Sequence, residues 1–265
     1  MPDPPLIAGN GKDIFVLHSD AKVLLERLDP NSTTLIVTDP PWNTGQVRRG
    51  SAGLKYDDKH EYVAYKTLMI RLFEASFAAL NERGMLALWL DWRWVHEAAV
   101  WGDGFFGGGD GRGVRVGEII VHSELGNPGK SAWPLKHSTI LLFAKNPDKV
   151  EFNYEGLPMV DRKAPKSGHG QKYATEGKRA TSVLSATMSN TDPERVGYPD
   201  QKPSWVYRAL IECYTKPGDL VVDPFMGSGT LGRAAKGTGR VVVLGDLSLD
   251  ACKAASLSLE LTENT

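Results

Sequence analysis

Val221-Val222-Asp223-Pro224-Phe225-Met226-Gly227-Ser228-Gly229-Thr230 is the stretch whose reading decides the fold. It reads as a buried parallel strand that stops at an aspartate, turns through a glycine-bearing loop and enters a helix near Leu231. That layout turns free backbone N–H groups and a helix start toward a ligand, and its glycines let the main chain approach closely. After a second apolar strand, Val241-Val242-Val243-Leu244, comes Gly245-Asp246. An acidic residue at the tip of the second strand of such a unit is placed to hydrogen-bond a ribose hydroxyl. The stretch is half of a nucleoside-cofactor site. The cofactor's identity has to come from elsewhere in the chain.

The composition sets the bounds within which that site works. With 265 residues, 41% of them apolar and 24% charged, the chain has ample material for one α/β core. No run approaches the roughly 18 apolar residues of a membrane span, and the opening Met1-Pro2-Asp3-Pro4-Pro5 has no signal-peptide pattern. Cys213 and Cys252 sit in apolar helical patterns, away from the site motifs. They read as buried thiols, with neither a disulfide nor a metal site expected, and a reducing cytoplasm fits. The net charge of −1 means that any affinity for nucleic acid must come from a local patch.

Upstream, Ile14-Phe15-Val16-Leu17 is a short strand followed by His18-Ser19-Asp20 and a helical pattern from Ala21 to Leu28. Asp20 is either the N-cap of that helix or a polar contact to the cofactor, and both readings stand. The next strand, Thr34–Thr38, ends in Asp39-Pro40-Pro41-Trp42-Asn43. Two consecutive prolines cannot donate to a ladder and force a rigid, extended exit. They hold Asp39 and the Pro40 carbonyl side by side, with Trp42 just beyond. Alone, this is also what a Pro-rich turn with an aspartate cap looks like. Gln46 to Asp58, polar and carrying Arg48 and Arg49, reads as a mobile loop that closes over substrate or DNA. A helix from Tyr62 to Asn81 follows, ended by Gly84, and then the apolar strand Met85–Leu90. Asp91 to Val100 reads as helix, and the glycines of residues 101–115 as a flexible excursion.

Two further strands, Glu118–His122 and Ser138–Ala144, are joined by a link without helical period, so the last strand is expected antiparallel to its neighbour. His137, at the start of that strand, reads as structural rather than catalytic. Residues 145–202 lose apolar periodicity. Within them, segment 161–180 sets Arg162, Lys163, Lys166, Lys172, Lys178 and Arg179 against only Asp161 and Glu176. In a chain of net charge −1, such a basic stretch is a phosphate-contacting surface rather than only a solvated face. Order returns with Gln201-Lys202-Pro203 and a helix from Ser204 to Tyr214.

Taken together, Asp39-Pro40-Pro41-Trp42 and Asp223–Thr230 resemble the catalytic and cofactor motifs of the S-adenosylmethionine-dependent amino-methyltransferases of DNA. Catalytic motif first, variable region next and cofactor motif last is the order of the permuted group called the β-class. The resemblance implies a Rossmann-like α/β fold with a circularly permuted, mostly parallel seven-stranded sheet whose last strand is antiparallel. It implies a catalytic domain made of residues 1–145 and 201–265, with a target-recognition insertion at 146–200. By resemblance, S-adenosyl-L-methionine is held by Asp20, Asp39, Lys202, Asp223, Pro224, Phe225, Gly227, Ser228, Gly229, Thr230 and Asp246, with Lys202 approaching its methionine carboxylate. Asp39, Pro40, Pro41 and Trp42 then carry the chemistry. Arg48, Arg49, Arg162, Lys163, Lys166, Lys172, Lys178 and Arg179 face double-stranded DNA. The resemblance allows a homodimer, and it implies a bacterial, archaeal or phage-encoded enzyme at work in a cytoplasm.

A base amine cannot be methylated while stacked, so the base must be extruded into a pocket. Aspartate at position 39 points to adenine N6, because the cytosine-N4 enzymes more often carry serine there. Three departures from the family pattern stand out: Asp246 where glutamate is common, Ser138 where glutamate is common, and Trp42 where tyrosine or phenylalanine is usual. The alternatives are a cytosine-N4 enzyme, an RNA adenine enzyme, or a partner subunit without turnover. A P-loop nucleotidase is excluded, since no Gly-Lys-Ser/Thr follows the glycine loop.

Overall fold

The computed structural model describes residues 6–50, 55–106, 114–124, 133–160, 178–189 and 191–263. In chain order the elements begin β1 (Leu6–Gly9), β2 (Ile14–His18), α1 (Ala21–Arg27), β3 (Thr33–Thr38), β4 (Gln46–Arg49), β5 (Lys55–Asp58), α2 (Tyr62–Ala79) and β6 (Leu80–Leu90). Next come α3 (Val95–Phe106), β7 (Val114–His122), β8 (His137–Ala144), β9 (Met159–Val160), β10 (Lys178–Arg179) and β11 (Val183–Ser185). The chain closes with α4 (Ser204–Tyr214), β12 (Leu220–Asp223), α5 (Thr230–Ala235), β13 (Val241–Asp246), α6 (Leu249–Leu259) and β14 (Thr262–Glu263).

One ten-stranded sheet runs through the molecule in the order β11-β7-β8-β6-β3-β12-β13-β2-β1-β14. Its centre, β6-β3-β12-β13-β2, is parallel throughout. β8 lies antiparallel to both β6 and β7, as its short connection to β7 implied. The seven expected strands are all present. Three short ones, β1, β11 and β14, extend the edges.

Alternation along the central strands explains why their sequences are apolar without a break. Leu35, Val37, Met85, Ala87 and Trp89 join one core cluster with Val206 and Leu210 of α4, Leu231 of α5 and Leu259 of α6. Ile36, Leu86, Leu88 and Leu90 join the other, with Leu25 of α1, Met69 and Phe73 of α2 and Phe106 of α3. Successive side chains leave a strand on opposite faces, so a strand covered by helices on both sides is apolar at every position. Val160, Ala180 and Leu184 also belong to the first cluster and Val150 packs against it, so the sheet's core continues into the segment after β8.

Connections leave the sheet centre in both directions. From β3 the chain crosses through α2 to β6 on one side, and from β12 through α5 to β13 on the other. The carboxyl ends of β3 and β12 therefore stand side by side where the strand order reverses, which is where open α/β sheets place their ligands.

Three expectations need correcting. Residues 101–106 complete α3 and residues 114–115 open β7, where a flexible excursion was expected. Residues 46–49 and 55–58 do not form an open loop: β4 and β5 pair as an antiparallel hairpin, Gln46 opposite Asp58 and Arg49 opposite Lys55. Gly84 does not end α2. The helix stops at Ala79, and β6 begins at once with Leu80 against Thr33. Lys145 Nζ donates to the carbonyls of Phe77 and Leu80, supplying from β8's far end the partner that the helix end lacks. Among the described residues no helix is long and apolar enough to cross a membrane.

Candidate active site

Both motifs line one cavity of about 400 Å³ at the carboxyl ends of β3, β12 and β13. This lies within the range of small-molecule sites, roughly 300–1,000 Å³. From the first motif it takes Asp39, Pro40, Pro41 and Trp42, and from the second Pro224, Phe225, Gly227, Ser228 and Thr230. Asp20, Asp246 and Lys202 complete the expected set, while Asp223 and Gly229 stand behind the wall. His137, on β8, is exposed and lies outside the cavity.

The cofactor turn is shaped by its backbone. Gly229 has φ +75°, and a Cβ there would meet Ala255 Cβ at 2.9 Å, so only glycine fits without strain. The helix that follows, α5, is a mere six residues. Its start is braced by Arg233, which donates to the Ser228 carbonyl at 2.5 Å and to Thr230 Oγ1 at 3.0 Å. That brace escaped the sequence reading, because arginine three residues into a helix carries no signal by itself.

Asp246 links the two rims. Its Oδ2 accepts from Gly227 N–H at 3.0 Å and its Oδ1 from Ser248 N–H at 2.9 Å. Burial pushes its carboxyl above the usual range, against those two bonds. Asp20 is the N-cap of α1, and it also lies where a contact to the cofactor was expected. Its Oδ1 caps α1 by accepting from Lys22 and Val23 N–H, and the residue also borders the cavity. Carboxylates at Asp20 and Asp246, with apolar walls from Pro224, Phe225 and Leu68, suit the hydroxyls and flat ring of a nucleoside.

The catalytic side is held by pairs. Asp39 Oδ1 accepts from Trp42 Nε1–H at 2.8 Å, and Oδ2 from Lys202 Nζ at 2.5 Å. Burial raises the Asp39 carboxyl, while the Lys202 ammonium beside it pulls it back down. Beyond Trp42 the chain is pinned by Asp58, which is fully buried. Its carboxylate accepts from Asn43 N–H at 2.7 Å, Thr44 N–H at 3.0 Å and Thr44 Oγ1 at 2.6 Å. Asp58 was missed because it sits 14–15 residues from its partners, inside a stretch read as loop.

Of the expected DNA-facing residues, Arg48 and Arg49 lie on β4. Arg48 spans to Asp200 Oδ2 at 3.3 Å and donates to Thr44 Oγ1 at 3.1 Å. Lys178 is exposed. Arg179 is engaged within the protein, donating to the Glu155 carboxylate and to the carbonyls of Glu155 and Leu157. Arg162, Lys163, Lys166 and Lys172 lie outside the described residues. Cys213 and Cys252 are buried, with thiols pushed up to about 12, so both stay protonated and unreactive near neutrality. Cys252 is closer to the site than expected, with Sγ 3.6 Å from the Asp246 carbonyl.

A family model described as DNA methylase, of the N6/N4 type, matches residues 33–257. The chain belongs to this DNA methylase family. It is 26% identical to the type II methyltransferase M2.DpnII of Streptococcus pneumoniae over 97% of this chain and 93% of that protein. Its fold is similar to that of the M1.HpyAVI–SAM complex, with a TM-score of 0.63, 21% identity and coverage of 94% of this chain and 100% of that one. It is also similar to the cytosine-N4-specific PvuII DNA methyltransferase, with a TM-score of 0.74, 14% identity and coverage of 97% and 90%. The chain is thus an S-adenosylmethionine-dependent DNA methyltransferase of the N6/N4 family.

Proposed function

We propose that this methyltransferase modifies the exocyclic N6 amine of an adenine flipped out of double-stranded DNA. One observation carries the reading: Asp39, Pro40 and Trp42 line the same cavity as the 224–230 turn. A carboxylate and a carbonyl are both acceptors, matched to the two hydrogens of an NH₂ group. Bonds to them draw the amine out of conjugation with its ring and turn its lone pair toward the cofactor. Trp42 offers a flat apolar face for the extruded base, whose unstacking costs a few kcal/mol. S-adenosylmethionine, when bound, supplies a methyl group already activated on a sulfonium. The chain's residues therefore contribute orientation and electrostatics. Asp20, Asp246 and the 224–230 turn are the residues that would hold the nucleoside part.

Aspartate at position 39 supports adenine over cytosine. The support comes from the resemblance, which associates serine at that place with cytosine-N4 enzymes. Residues 146–200 are the proposed target-recognition part, joined by the β4–β5 hairpin.

The test is transfer of labelled methyl from S-adenosylmethionine to unmethylated DNA, followed by digestion to nucleosides. Label in N6-methyladenine is the expected result. Label in N4-methylcytosine overturns the base assignment and leaves the chemistry standing. Absence of label on DNA overturns the proposal.

A further inference from the structure

Lys202 is placed on the catalytic aspartate. Its Nζ lies 2.5 Å from Asp39 Oδ2, 4.3 Å from the centre of the Trp42 ring and 5.6 Å from that of Trp89. A second hydrogen bond, 3.0 Å long, runs from the same ammonium to the Asp200 carbonyl. The side chain is 12% exposed and that of Asp39 is 19% exposed, so the pair is largely withdrawn from water. Holding a long lysine in one geometry against two rings and two oxygens costs side-chain entropy, which an exposed ion pair seldom recovers. Here the pair is partly desolvated and the cation also rests against aromatic faces, where its attraction is stronger.

This arrangement conflicts with a bound base. Asp39 already spends one oxygen on Trp42 and the other on Lys202. A base stacked on the face of Trp42 that the ammonium covers takes the same space, and its amine competes with Lys202 for Asp39 Oδ2.

We propose that Lys202 is a positioning residue of the transfer reaction, holding the Asp39 carboxylate as an anion aimed into the base pocket and yielding Oδ2 and the Trp42 face to the incoming amine. The Asp200 carbonyl is the station that retains the ammonium when it yields. This inference rests on the function proposed above. It differs from a contact between Lys202 and the cofactor's carboxylate, because the group that depends on the lysine is Asp39.

The charged and titratable groups facing Asp39 come from several elements: Lys202 and Asp200 before α4, Tyr198 on the same approach, Tyr207 on α4, Tyr65 on α2 and Asp223 on β12. Lys202 is the cation of that set. Of the others, Asp200 adds to burial in raising the Asp39 carboxyl, while the tyrosines stay neutral. Removing the ammonium therefore moves Asp39 further up, and its acceptor form is lost at a higher pH.

The experiment measures steady-state kcat/KM for methyl transfer to DNA against pH, with cofactor affinity by calorimetry, for the wild type, Lys202→Met and Lys202→Arg. Lys202→Gln is a second neutral variant that keeps a polar head in the same space, so that the comparison survives misfolding of the methionine form. In the neutral variants the acidic limb of kcat/KM is expected to move up by about one pH unit. Cofactor affinity is expected to hold, and Lys202→Arg to restore the limb. A limb that stays in place overturns the inference, as does a tenfold loss of cofactor affinity in the neutral variants, which would assign the lysine to the cofactor. A wild type that transfers no methyl to DNA fails the functional reading instead, so the two failures are told apart.

Discussion

Thr38 Oγ1 donates a 2.8 Å hydrogen bond to Asp223 Oδ1, joining the last residue of β3 to the last residue of β12. Each of these residues immediately precedes or opens one of the two motifs, so this bond ties the catalytic and cofactor turns together beyond the end of the β3–β12 ladder. Asp223 also accepts from Phe225 N–H at 3.1 Å, and burial pushes its carboxyl up to about 8. A folded state that retains a proton which the unfolded chain releases near pH 4 loses stability as pH rises between those values. Asp223→Asn keeps the acceptor and abolishes the titration. Thermal unfolding from pH 5 to 8 should show the wild type losing ground to the variant as pH increases, and parallel curves would refute this.

Removing the carboxylate of Asp39 should separate chemistry from cofactor binding. Asp39→Ala is expected to lower the methyl-transfer rate by about 10²-fold or more. Cofactor affinity should stay close to that of the wild type, because Asp20, Asp246 and the glycine turn are untouched. Calorimetry and single-turnover assays read the two quantities independently. Equal losses in both would show that the motif is misassigned.

Asp58 pins the exit of the catalytic turn with three bonds from a fully buried carboxylate. Asp58→Ala leaves the N–H groups of Asn43 and Thr44 without that acceptor, at about 1–3 kcal/mol for each unsatisfied group. We expect a lowered denaturation midpoint. We also expect a rise in KM for DNA, since Trp42 loses the anchor just beyond it. A stability loss with unchanged DNA kinetics would limit Asp58 to the fold.

Charge on the 161–180 segment should govern how salt affects DNA binding. Neutralising Lys163, Lys166, Lys172 and Lys178 is expected to weaken binding and to flatten the dependence of log K on log salt by about 0.9 for each phosphate left without its cation. Binding titrations at several salt concentrations measure the slope directly. An unchanged slope would take the segment out of the interface. Arg179 is left out of this set because Glu155 and two backbone carbonyls already hold it.

The parts of the site that could be read from the sequence are those whose cause is local. Asp39–Trp42 and Val221–Thr230 announce themselves because prolines and glycines dictate backbone shape over a few residues. The strands β6, β12 and β13 were legible because burial on both faces leaves an uninterrupted apolar run. The β4–β5 hairpin was not, since Gln46–Arg49 is polar and without alternation. Gly84 looked like a helix terminator, yet it lies inside β6 after a helix that had already ended. The two contacts that define the catalytic carboxylate differ in the same way. Trp42 is three residues from Asp39, whereas Lys202 is 163 residues away and is brought there only by the sheet's crossovers.

The hairpin is fastened to the rest of the molecule at three points. Asp58 grips Asn43 and Thr44, Arg48 reaches Asp200, and Gly50 packs so tightly on the 197–199 segment that a Cβ there would lie 2.1 Å from the Gly197 oxygen. A chimera that grafts another enzyme's hairpin onto this scaffold must therefore bring matching partners at 43–44 and 197–200. Otherwise the graft misplaces Trp42 along with Arg48 and Arg49. In this chain the hairpin and the catalytic turn cannot be exchanged as separate cassettes.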